Sequence, residues 1–84
     1  MDIRILGTGC ARCKKLYEET DKAAKELGIA ATITKVEKIE EIVKYNVLMT
    51  PALVINGVVK VAGRIPPAAE LANLLTTAAA ADES

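Results

Sequence analysis

Histidine, tryptophan and phenylalanine are absent from this chain of 84 residues, and aromatic side chains make up only 2% of it. The interior must therefore be aliphatic, drawn from Ile, Val, Leu and Ala within a hydrophobic content of 51%. That content belongs to a globular chain and excludes a disordered one. Net charge is lacking too: eleven basic and eleven acidic residues cancel. The cancellation removes the long-range pull toward nucleic acid or an anionic membrane that a basic domain exerts. No apolar run approaches the ~20 residues that cross a bilayer. The opening M-D-I-R-I-L-G carries an acid at residue 2 and too short an apolar run for a signal peptide, so a cytoplasmic protein is expected. At this length one domain fits and a second does not.

Cysteine is scarce as well, and its placement is the informative part. Both cysteines fall in L-G-T-G-C-A-R-C-K-K-L, residues 6–16. In a cytosol that keeps thiols reduced, two closely spaced cysteines more often exchange electrons or bind metal than form a permanent staple. All three uses start out open.

The flanking pattern supplies the context. Asp2–Leu6 reads as a short strand, ended by Gly7, Thr8 and Gly9. From Cys13 the period changes to 3.6, with Leu16, Tyr17, Thr20, Ala24 and Leu27 forming one stripe and Gly28 stopping the helix. Residues 29–36 alternate as a second strand, and Glu37–Tyr45 places Ile39, Ile42 and Val43 at the spacing of a short helix. Ala52–Ile55, Asn56-Gly57 and Val58–Val61 form a hairpin signal, because Asn-Gly suits the type I′ turn. Its first arm is apolar throughout, as in a strand covered on both faces, while Lys60 suits an outer strand. Gly63 ends the hairpin, and Pro66-Pro67 precede a helix carrying Leu71, Leu74 and Leu75. Residues 1–77 make the domain, and 78–84 are expected to form a frayed tail.

The order is β-α-β-α-β-β-α, an α/β fold. Right-handed crossovers predict three parallel strands with the hairpin adding an antiparallel fourth, in a mixed four-stranded sheet of order 2-1-3-4 with helices on both faces. Strand 1 is then interior, and the cysteine turn lies at its carboxyl end, where open α/β sheets place their chemistry.

Cys10 falls at the start of the helix and Cys13 three residues on, close enough to share one side of a turn and close a disulfide. Unpaired backbone N–H groups, the helix dipole and the positive charge of Arg12, Lys14 and Lys15 favour a thiolate at Cys10. The expected cycle has Cys10 attack a partner disulfide and Cys13 resolve the mixed disulfide, after which an external donor restores the dithiol. Met49-Thr50-Pro51 is the second feature: a proline can open an interior strand, and it holds Thr50 extended. With strands 1 and 3 adjacent, Pro51 is expected beside the Cys10 turn, in either the cis or the trans form.

C-A-R-C behind a strand, T-P ahead of an apolar strand, an N-G hairpin, Gly63 and a closing helix together resemble the thioredoxin and glutaredoxin superfamily. The likeness runs over nearly all of residues 2–76 and is strongest to its small, roughly 80-residue archaeal and bacterial redox-active disulfide members. The resemblance implies that Cys10 attacks, Cys13 resolves, Pro51 is cis, the Thr50 backbone pairs with a bound peptide, and Gly63 lies near the site. Some positions depart from the pattern. Thioredoxins carry Trp ahead of the first cysteine, Gly-Pro between the pair and an Asp six residues earlier; here those places hold Gly9, Ala11-Arg12 and Arg4. Where glutaredoxins have a G-G-x-D-like stretch for glutathione this chain reads A-G-R-I, which argues against glutathione as the dedicated donor and offers Arg64 as added positive charge at the rim.

The resulting expectation is a thiol–disulfide oxidoreductase whose redox group is the Cys10–Cys13 pair, with no cofactor and no metal. Expected partners are disulfide-containing proteins and a reductase or low-molecular-weight thiol donor, with no nucleic acid and no membrane. A monomer is expected. A dedicated electron carrier for one enzyme would use the same chemistry. The alternative is a dithiol carrier of Cu(I) or Zn(II). Against it, copper chaperones with this motif place their hairpin directly after the first helix and end in a strand, and a closed zinc site here would need carboxylates or a second chain.

Overall fold

The computed structural model describes residues 1–9 and 11–82. Its elements run β1 (Asp2–Leu6), α1 (Ala11–Glu26), β2 (Thr32–Val36), α2 (Ile39–Ile42) continued by a 3-10 turn (Val43–Tyr45), β3 (Ala52–Ile55), β4 (Val58–Ala62) and α3 (Ala68–Asp82). The strands form one mixed sheet in the order β2-β1-β3-β4.

Alternation along the strands builds two apolar layers. On one face Ile3, Ile5, Leu53, Ile55 and Val61 meet Leu16, Ala23 and Ala24 of α1 and Leu71, Leu75 and Ala78 of α3. On the other, Leu6, Val36, Ala52 and Val54 meet Ile42 of α2. Helices thus cover both faces, and β3 is buried at every position. Asn56 and Gly57 take positive φ, 50° and 83°, as a type I′ turn requires. The β3–β4 register slips between Leu53 and Val54, which oppose Val61 and Val59. That leaves Lys60 as the extra residue on the outer strand, a bulge that blunts the edge.

The sheet corrects one expectation. β1 and β2 are parallel, with Leu6 opposite Val36, but β3 runs antiparallel to β1, with Leu6 opposite Ala52. The connection after β2 explains why. The four residues of α2 rise about 6 Å, and the three of its 3-10 turn about 6 Å more. A five-residue strand such as β1 is about 16 Å long. The helical part of the connection is thus shorter than a strand, and β3 starts at the pole where β2 ends, since Leu6 lies opposite both Val36 and Ala52.

Boundaries shift elsewhere. The second strand begins at Thr32, and the second helix keeps one α turn. Leu27 is exposed, while Ala23 and Cys13 join the buried stripe of α1. The last helix continues past Thr77 to Asp82 and buries Ala78, consistent with the high helix propensity of alanine.

Thr20 is fully buried in α1, and its hydroxyl has no hydrogen-bond partner among the described residues. A buried, unsatisfied hydroxyl costs about 1–3 kcal/mol. Thr20→Val is therefore expected to stabilise the fold by about 1 kcal/mol, raising Tm by about 4–8 °C in a thermal melt. A lower Tm would show that the hydroxyl is satisfied.

Candidate functional site

Because β1 and β2 end at the same pole and β3 begins there, three chain segments converge. Gly7 follows β1 and donates its N–H to the Val36 carbonyl at 2.9 Å. Helix α1 starts next, with Cys13 in its first turn, only 6% exposed. The Thr50–Pro51 peptide bond is cis, and Pro51 is buried. Cys10 lies outside the described residues.

Gly7 explains how Cys13 fits. A Cβ at residue 7 would overlap Cys13 Sγ, lie 3.0 Å from Cys13 Cβ and come within 4.0 Å of Thr50 Cβ. The sulfur therefore occupies the space a side chain at residue 7 would need, and Thr50 stands at the same spot. In the sequence this glycine reads only as turn chemistry.

The start of α1 carries no acidic residue in its first turn. Arg12, Lys14 and Lys15 are instead exposed there, at the end of the helix where cations are disfavoured. Such an arrangement disfavours the isolated helix and favours negative charge near its start. Arg12 reaches further: its Nη2 donates to the Gly63 carbonyl at 3.1 Å. The Gly63 N–H in turn donates to the Pro51 carbonyl at 2.9 Å. One chain of hydrogen bonds thus joins the cysteine helix, the Gly63 turn and the cis-proline. Gly63 has φ +82°, and a Cβ there would also press on Met49 Cβ at 3.0 Å. Arg64, expected as added positive charge at the rim, is paired with Glu70 at 2.6 Å.

The structure brings Cys13, Thr50, Pro51, Gly63 and Arg12 to one pole, while Lys14 and Lys15 face solvent from the start of α1. Sequence reasoning missed Gly7 and the Arg12–Gly63 bond. It also missed Leu48 and Met49, exposed just ahead of the cis-proline, and Lys35 and Glu37, which line a cleft with Cys13. The parallel pairing of β1 with β2 was the available signal for Glu37, since it sets the residue after Val36 beside the residue after Leu6. Among the described residues, no three His, Cys, Asp or Glu side chains gather as a metal site.

At this pole a buried sulfur lies in the first turn of α1, and Thr50, ahead of a cis-proline that leads into β3, stands close to it. In an α/β sheet of this order, that defines a thioredoxin-fold protein of thiol–disulfide exchange. Sequence comparison agrees and gives the family. Residues 1–76 match the model of the thioredoxin domain. A thioredoxin of Methanocaldococcus jannaschii is 44% identical over 69 residues, spanning 82% of this chain and 79% of that protein. A thioredoxin of Methanothermobacter thermautotrophicus is 36% identical over 76 residues, spanning 90% and 99%. The chain belongs to the thioredoxin domain family and is a thiol–disulfide oxidoreductase. No helix among the described residues is long and apolar enough to cross a membrane.

Proposed function

We propose that the protein reduces disulfides of cytoplasmic protein clients through a Cys10–Cys13 dithiol cycle. The carrying observation is the burial of Cys13 against Gly7 in the first turn of α1. A thiol so placed is shielded from an external disulfide and suited to attack a sulfur already delivered to the helix start. Cys10 is the group that meets the client. Its thiolate attacks one client sulfur, the client's other sulfur leaves as a thiolate, and a mixed disulfide forms. Cys13 then attacks Cys10 Sγ and expels the client sulfur bonded to it. Two electrons have passed to the client, and the protein is left as the Cys10–Cys13 disulfide.

The remaining residues serve that exchange. Arg12, Lys14 and Lys15 favour the thiolate, the Thr50 backbone pairs with the extended client segment, and Gly63 leaves room for it. A reductase or small thiol returns the dithiol. Residues 1–77 carry the function as one monomeric domain, without nucleic acid, membrane or metal.

Titration in thiol redox buffers, with the thiols counted by alkylation and mass spectrometry, tests the reading. Cys10 and Cys13 are expected to become protected together, in one two-electron transition with a midpoint within the roughly −270 to −120 mV range of such couples. Independent protection of the two thiols would overturn it.

A further inference from the structure

Attack by Cys13 requires that a thiol only 6% exposed lose its proton, a step that a nearby proton acceptor assists. Ile5 and Gly7 of the β1 segment carry no titratable group. Arg4 engages the Tyr45 hydroxyl at 2.7 Å, and Tyr45 packs in the layer on the α2 face of the sheet. Arg12, on the helix itself, is bonded to the Gly63 carbonyl.

Beside Cys13 lies a cleft of about 30 Å³, lined by Ile5, Gly7, Gly9, Cys13, Lys35 and Glu37. That volume is enough to hold a water molecule. Glu37 brings a carboxylate to it, with Oε2 3.9 Å from where a Cβ on Gly9 would stand. Lys35 sends its ammonium over the Tyr17 ring of α1, 4.8 Å from the centroid. The titratable groups around Cys13 on this side are therefore Glu37 and Lys35 from the β2 end and Tyr17 from α1. Of these, Glu37 is the one able to accept a proton as an anion, and it is itself exposed.

We propose that Glu37 accepts the Cys13 proton, directly or through one water in the cleft, as Cys13 resolves the mixed disulfide. This assignment rests on the reading of Cys13 as the resolving thiol. The step balances: Cys13–SH, the Glu37 carboxylate and the Cys10–S–S–client bond become the Cys10–Cys13 disulfide, the Glu37 carboxylic acid and the client thiolate. The S–S bond to the client breaks as the new one forms, and the two electrons leave with the client sulfur. Glu37 then yields its proton to the departing thiolate through solvent. Because the carboxylate is neutralised as negative charge grows on sulfur, no like-charge pair forms between them.

Single-turnover reaction of the reduced protein with one equivalent of 5,5′-dithiobis(2-nitrobenzoate) separates the steps, because each releases one coloured thiolate. The first phase is Cys10 attack, and the second is resolution by Cys13. Glu37→Gln is expected to leave the first phase unchanged and to slow the second by about 10²-fold near neutral pH. The deficit should close as rising pH ionises the thiol without help. Glu37→Asp should recover part of the rate. A second phase in Glu37→Gln that is unchanged, faster, or slowed equally at every pH overturns the assignment. Release of only one thiolate per molecule of the unmodified protein would instead sink the Cys10–Cys13 reading itself.

Discussion

Serine at position 10 is expected to bring catalysed disulfide reduction down to the background of the small-thiol donor, whereas serine at position 13 leaves the first step intact and traps it. An alcohol is not appreciably ionised near neutral pH, so Cys10→Ser removes the attacking anion altogether. Cys13→Ser keeps that anion but lacks the sulfur that would displace the client. Covalent client adducts should then accumulate on Cys13→Ser, be visible by intact mass, and dissolve on adding a reductant. The asymmetry follows from burial, since a thiol only 6% exposed is a poor first nucleophile toward a protein disulfide. Equal trapping by both single variants, or substantial turnover by Cys10→Ser, would contradict the assigned roles.

Gly7→Ala is expected to be the most damaging single-methyl change outside the cysteines. The added Cβ would overlap Cys13 Sγ and sit 3.0 Å from Cys13 Cβ, between the end of β1 and the start of α1. Overpacking of this kind costs about 1–3 kcal/mol. With the upper end of that range expected here, Tm should fall by at least about 10 °C. The second variant needed is Cys13→Ala, which removes the sulfur and leaves the backbone unchanged. In that background Gly7→Ala should cost at least about 1 kcal/mol less, a coupling within the span seen for residues in contact. An identical cost in both backgrounds would show that the sulfur does not fill the space above residue 7.

Much of this architecture is local, and local signals are what a sequence carries openly. The 3.6-residue stripe of α1, the Asn56-Gly57 turn and the all-apolar β3 are each written in a handful of adjacent residues, and each forms as expected. The direction of β3 is not local. It depends on how far α2 travels, and one helical turn followed by a 3-10 turn was overestimated as a full crossover. The reversal is what sets Ala52, and Pro51 before it, beside Leu6. A parallel β3 would have sent that proline to the opposite pole. Site geometry was legible where a residue's type marks its place, as with Cys13 and Pro51. It was hidden where a residue acts by lacking a side chain, as Gly7 does, or by reaching across the fold, as Arg12 does to Gly63.

The hairpin has a practical corollary for work at surfaces. Its turn folds back onto the first residues of the chain, where the Asn56 N–H donates to the Asp2 carbonyl and the Asp2 N–H to Asn56 Oδ1, at 2.7 and 2.9 Å. Both therefore lie at the end of the sheet away from Cys13. A tether attached ahead of Met1 leaves the pole that holds Cys13 facing outward, and molecules anchored that way on a bead or an electrode should keep the turnover they have when freely diffusing.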